Sequence, residues 1–147
     1  MKKIVLILLA AVLIAGFAGC GKAVYRDTAE QWLGSLGGKT KYDVSGAWEV
    51  PSGYSYSYWG GVYRTGPEVF ILVQEGSKIS GNFNEYELIG RISGDGVFLV
   101  GLYENVVYYT WHMRYAAKAK SLIGKQCDGY YPTVESHCYP LTLTKAK

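Results

Sequence analysis

The chain has 147 residues, of which 49% are hydrophobic, 15% aromatic and 18% charged, a balance that excludes a disordered polar chain and suits a single domain. Its formal charge is +3. Without Lys2 and Lys3, which lie in a segment read below as removed, thirteen basic residues face twelve acidic ones, so the domain lacks the basic field that nucleic-acid binding requires.

The first element is a processing signal. Met1-Lys2-Lys3 is a basic start, and the 16 residues from Ile4 to Gly19 carry no charge. As a helix they would span roughly 24 Å, short of the ~30 Å of a bilayer core. A basic start, a short apolar run and small residues after it read as a secretory signal over residues 1–19. Phe17-Ala18-Gly19-Cys20 resembles the lipobox of bacterial lipoproteins, with Phe17 where that family usually has Leu. The resemblance implies that Cys20 carries three acyl chains and becomes the first residue of the mature chain. One chain alone would hold it only marginally. Gly21 rather than Asp follows Cys20, which in that family favours the periplasmic face of the outer membrane where the cell has one.

Residues 20–43 read as a tether with a short helix. Asp27 fits an N-cap, with Glu30 three residues on. Trp32, Leu33 and Leu36 fall on one side at helical spacing, and Gly37-Gly38 stops the run. The stripe suits docking on the following domain or on a lipid surface, or the segment is a partly ordered spacer.

From residue 44 to 147 alternating runs are separated by turn signals. Strands are predicted over 44–50, 68–74, 79–83, 88–92, 97–103, 106–115, 121–126 and 139–144. The breaks include Glu75-Gly76-Ser77, Asn84-Glu85, Ser93-Gly94-Asp95-Gly96 and Glu104-Asn105. Connections this short make successive strands antiparallel neighbours, and no intervening helix is available for a parallel crossover. Gly81, Gly90, Gly101 and Gly124 recur inside the strands, where glycine marks bends or close backbone approach. The expected fold is all-β, a small antiparallel meander of seven or eight strands closed into a barrel, because closure removes exposed edges. The expected inward set is Trp48, Val69, Ile71, Ile79, Phe83, Leu88, Trp111, Met113, Leu141 and Leu143. On the strand from 106, period two puts Val107 and Tyr109 on the same side as Trp111, and His112 and Arg114 on the outer wall. Gly46-Ala47-Trp48 resembles the G-x-W motif of lipocalins and related calycin barrels, which implies that Trp48 plugs one barrel end.

Cys127 and Cys138 form an even pair in an exported domain and are expected to be oxidised to a disulfide. A zinc site of Cys127, Cys138 and His137 has poor spacing and no fourth ligand. The sequence contains no nucleophile elbow, phosphate loop or H-E-x-x-H motif. Glu85 and Glu87 read as a solvated strand edge, so neither an enzyme nor a cofactor is expected. One stretch stands out: Tyr54, Tyr56 and Tyr58 alternate with Ser, followed by Trp59, Gly60, Gly61 and Tyr63. Rigid amphipathic rings with small polar spacers are the composition of adaptable binding surfaces. The alternative is a strand whose Tyr rings pack across the barrel wall. The expectation is a lipid-anchored envelope barrel that binds a small apolar or extended ligand in its interior or at its mouth. The alternative is a surface module for an envelope protein or a glycan, centred on Tyr54, Tyr56, Tyr58, Trp59 and Tyr63.

Overall fold

The computed structural model describes residues 23–50, 54–56, 62–64, 68–129 and 138–147. Among these described residues there are one helix, α1 (Arg26–Ser35), and ten strands: β1 (Gly46–Glu49), β2 (Tyr54–Tyr56), β3 (Val62–Arg64), β4 (Val69–Glu75), β5 (Lys78–Phe83), β6 (Tyr86–Ser93), β7 (Gly96–Tyr103), β8 (Val106–Ala116), β9 (Ser121–Asp128) and β10 (Cys138–Lys145). Eight of them close an antiparallel barrel in the order β1-β10-β9-β8-β7-β6-β5-β4, and β2 and β3 form a separate two-stranded sheet. The predicted meander barrel is therefore the observed fold. Closure is made by β1, which pairs with β4 (Trp48↔Phe70) and with β10 (Trp48↔Lys145). Among the described residues no helix is long and apolar enough to cross a membrane.

The lumen is filled by side chains. Trp48, Phe70, Leu72, Leu88, Leu99, Trp111, Leu122 and Leu143 are essentially fully buried. Phe70 stacks on Phe83 at 4.2 Å, and Trp111 meets both rings edge-on at 5.4 and 5.7 Å. Both indole N–H groups are satisfied: Trp48 Nε1 donates to the Val44 carbonyl at 2.8 Å and Trp111 Nε1 to Gln126 Oε1 at 3.0 Å. The end beside Trp48 is closed by Tyr115, edge-on to the indole, by Tyr42 at 4.8 Å from Tyr115, and by Lys145, whose ammonium lies 5.5 Å from the indole centre.

Two expectations about facing are corrected. On β4 the buried residues are Phe70 and Leu72, while Ile71 is 42% exposed and Val69 only partly covered. The run Val69-Phe-Ile-Leu-Val is apolar on both faces, so alternation cannot choose between them. Pairing does, because Trp48 opposite Phe70 puts the largest rings on the same inner face. On β8 Val107 belongs to the outer cluster. Gly101 pairs with Tyr109 but Leu102 with Val107, so Tyr108 is an extra residue that reverses the facing of what precedes it.

The glycines inside the strands sit where neighbouring backbones crowd. A Cβ on Gly81 would lie 1.9 Å from the Ile71 carbonyl oxygen, and one on Gly124 1.9 Å from that of His112. The strong coiling that closes a small barrel brings backbone into the space a side chain would need.

Helix α1 packs on the outside of the barrel. Ala29 and Leu33 are buried against Val100, Leu102 and Val107, with Trp32 and Leu36 beside them. The expected N-cap is displaced: the helix starts at Arg26 behind Tyr25, and no side chain caps it. Tyr25 bridges Val106 and Arg26 N–H bonds the Asn105 carbonyl, so strand pairing sets the start. The Arg26 guanidinium also bonds Glu87 and Asn105 Oδ1. After the helix, Gly94 N–H bonds the Lys39 carbonyl, and Gln74 holds Tyr42 and Val44 across the Trp48 end.

Candidate functional site

The chain reversals at one rim of the barrel bring together residues far apart in sequence. The end of β1, the start of β4, the β5–β6 turn, the β7–β8 turn, the end of β9 and the start of β10 all meet there, as the pairs Glu49↔Val69, Phe70↔Phe83, Phe83↔Tyr86, Tyr103↔Val106 and Cys127↔Cys138 show. This is the rim opposite Tyr42 and Tyr115. Four tyrosines cluster on it. Tyr86 lies 5.0 Å from Tyr109, 5.8 Å from Tyr108 and 6.3 Å from Tyr103, and Tyr103 lies 6.0 Å from Tyr108. Tyr103 and Tyr108 are 43% and 46% exposed, while Tyr86 and Tyr109 pack against the interior cluster.

Their order is imposed from below. Tyr109 is 5.7 Å from Trp111, and Tyr86 stacks on Phe83, so the rim rings stand on the rings that fill the lumen. The turn between β7 and β8 holds Glu104 and Asn105 at φ of 50° and 65°, the left-handed pair of a tight hairpin that keeps Tyr103 and Tyr108 close. Gly129 N–H bonds the Tyr108 carbonyl at 2.7 Å and fixes the extra residue of β8. The Tyr86 hydroxyl is held well above the ordinary phenol range, first by burial and then by its hydrogen bond with Tyr109. It stays protonated and acts as a donor or acceptor. The ring planes of neighbouring pairs meet at 48–87°. Such a cluster offers ring edges and hydroxyls to a ligand in a fixed arrangement.

Cys127 and Cys138 are joined by the expected disulfide, directly opposite one another in the β9–β10 ladder at this same rim. The bond removes both thiolates from the Cys/His alternative, and His137 lies outside the described residues. Among the described residues no three His, Cys, Asp or Glu side chains come together to hold a metal ion. Tyr54 and Tyr56 lie on β2 and Tyr63 on β3, with Tyr54↔Arg64, Ser55↔Tyr63 and Tyr56↔Val62 as backbone pairs. Tyr58 and Trp59 lie outside the described residues, as do Phe17 to Cys20. The segment that carries β2 and β3 leaves and re-enters the barrel at the tyrosine rim, where Val50 N–H bonds the Glu68 carbonyl at 3.1 Å. No family model, curated protein or solved structure matches the chain.

Sequence reasoning missed Tyr86, Tyr103, Tyr108 and Tyr109 as a group. The available signal was that Tyr86 and Tyr103 flank the turns Asn84-Glu85 and Glu104-Asn105, and that Tyr108 and Tyr109 follow closely after the second, on the same end of the meander. His112 does face outward, yet it is not a surface side chain. The helix covers it: Trp32 stacks flat on the imidazole at 5.4 Å, and Phe98 meets it edge-on at 5.0 Å. Burial, and secondarily the charge of Lys125, lower its pKa to about 4. Glu85 and Glu87 are exposed, with Glu87 paired to Arg26.

Proposed function

We propose that the chain is a lipid-anchored, non-enzymatic lipoprotein of the cell envelope that recognises a partner protein through the tyrosine rim of its barrel. The observation that carries this reading is the cluster of Tyr86, Tyr103, Tyr108 and Tyr109 standing on a lumen already filled by Trp111, Phe70 and Phe83. A filled interior favours recognition at the surface over carriage of a small apolar molecule inside. Tyrosine suits a protein interface because it brings a large, stiff contact area with little rotamer entropy to lose. Rings already fixed by their neighbours lose less still. The angled ring planes favour a protein over a glycan, whose flat sugar faces stack best on open ring faces.

The anchor rests on the signal-like residues 1–19 and on Cys20; on a lipoprotein of the outer membrane this rim would work on the periplasmic side. The place of Trp48 at one lumen end supports a calycin relation. By its composition of rings and small polar spacers, the segment with Tyr54, Tyr56, Tyr58, Trp59 and Tyr63 is a second candidate for contact with the partner.

The test places benzoylphenylalanine at position 103, 108 or 123 in cells that make the protein. Ile123 is an equally exposed wall position. A discrete protein adduct from 103 and 108, absent from 123, is the expected result. No adduct from either rim position, or the same adduct from 123, would remove the reading. Cys20→Ala should release the protein from membranes, and continued retention would contradict the anchor.

A further inference from the structure

A second concavity lies away from the tyrosine rim. The outer faces of β4, β5 and β6 and the side of α1 enclose a groove of about 410 Å³, lined by Glu30, Leu33, Val73, Lys78, Ile89 and Arg91 among others. Its apolar floor is Leu33, Ile89 and Val73, the last 49% exposed. Its polar side holds two basic residues, Lys78 and Arg91, and two acidic ones, Glu30 and Glu75. Lys78 and Arg91 are directly opposed across the β5–β6 ladder, a like-charge pair that has Glu75 on the far side of Lys78. Among the described residues Arg91 makes no ion pair, and its Nε is buried without a hydrogen bond. Of the groove's two carboxylates, Glu30 is engaged by Arg26 at 3.7 Å and Glu75 stands opposite Lys78.

The helix adds an independent sign. Gly34 sits in the last turn of α1 and lines the groove, and a Cβ there would meet nothing within 4 Å. Glycine is a poor helix residue, and no packing requires it here. What its missing side chain does is keep the groove open.

We propose that this groove binds an aliphatic carboxylate, with the chain on Leu33, Val73 and Ile89 and the carboxylate on Arg91, assisted by Lys78. A guanidinium is the planar fork that matches a carboxylate, and among the described residues the charge of Arg91 has no ion-pair partner. A volume of this size falls in the range of small-molecule sites.

The experiment titrates the purified full chain with sodium decanoate labelled with ¹³C at the carboxyl group. It is read by the carboxyl resonance in one lipid-disc preparation, so that partition into the disc is common to all variants. Saturable binding is expected, with 1-decanol and propanoate each at least tenfold weaker, since one lacks the charge and the other the chain. Arg91→Gln should weaken binding at least tenfold. Gly34→Leu should abolish it while keeping the fold, because the added side chain enters open space, and this variant decides the matter if Arg91→Gln fails to fold. Tyr108→Ala should leave it unchanged, which separates this site from the rim. Absence of saturable binding, decanol binding as tightly as decanoate, or full binding by Gly34→Leu would each overturn the assignment.

Discussion

Gly124 offers a sharp test of how the barrel closes. An alanine there would place its Cβ 1.9 Å from the His112 carbonyl oxygen, 2.6 Å from Met113 Cα and 2.8 Å from the His112 carbonyl carbon. All three are backbone atoms of the adjacent strand, so no side chain can rotate away. The methyl fits only if β8 and β9 separate by more than an ångström, which loosens ladder hydrogen bonds and the packing of Trp111 and Met113. Overpacking of this kind costs about 1–3 kcal/mol when side chains can adjust; with backbone on the far side, ~3 kcal/mol or more is expected. For a domain of this size that lowers Tm by roughly 10 °C. The assay is urea unfolding of Gly124→Ala followed by circular dichroism with the disulfide intact. Gly34→Ala is the comparator: its Cβ meets nothing, and it should gain up to ~1 kcal/mol from helix propensity. A Gly124→Ala variant within ~0.5 kcal/mol of the parent, inside the usual range of neutral surface changes, would refute the close-approach argument.

Four further outcomes follow from the structure. His112 is neutral in the fold, with its pKa lowered from 6.5 to about 4, so the unfolded chain binds the extra proton first. The contribution of His112 to stability should fall as pH drops from about 6.5 to 4 and level off below. Allowing for the partial exposure of the ring, the loss is about 1–2 kcal/mol. Trp32→Ala should raise the His112 pKa toward its ordinary value in an NMR titration, and an unchanged value would deny that the helix buries it. The Cys127→Ser/Cys138→Ser double variant should lose ~3 kcal/mol in urea unfolding, the chain-entropy value for so short a loop, and a loss below ~1 kcal/mol would mean that the bond does little for the fold. Phe70→Ala should cost about 3–5 kcal/mol and Ile71→Ala less than ~0.5 kcal/mol in the same assay. The reverse ranking would restore the facing that the alternation of Val69, Ile71 and Val73 suggested.

Those adjacent residues show where a sequence can be read and where it cannot. Strand boundaries were legible because turns announce themselves locally, through Gly76, Gly94 and the left-handed Asn84 and Asn105. The facing of β4 was not, since both of its faces are apolar and its pairing with β1, which lies beyond β2 and β3 in sequence, decides. Alternation did place Trp111, Met113 and His112 correctly, and it failed at Val107 because one extra residue at Tyr108 is invisible without its partner strand. Asp27 has the chemistry of an N-cap, but Tyr25 and Arg26 are already tied to Val106 and Asn105. The tyrosine rim was hidden for the same reason. Its four residues belong to three strands, and only the closed register brings them within ring contact. The groove depends on where α1 docks, a long-range fact that its three-residue stripe foretells only as a general tendency.

The most direct test of the whole account concerns the lumen, because a filled barrel is what moves recognition to the outside. Hydrogen exchange of the Trp48 and Trp111 indole N–H groups can be followed separately by NMR. Both should exchange only through global unfolding, at the rate of the slowest strand amides, given their burial and their bonds to Val44 and Gln126. Exchange within minutes under native conditions would mean that water reaches the interior, and the case for a solid core would be lost.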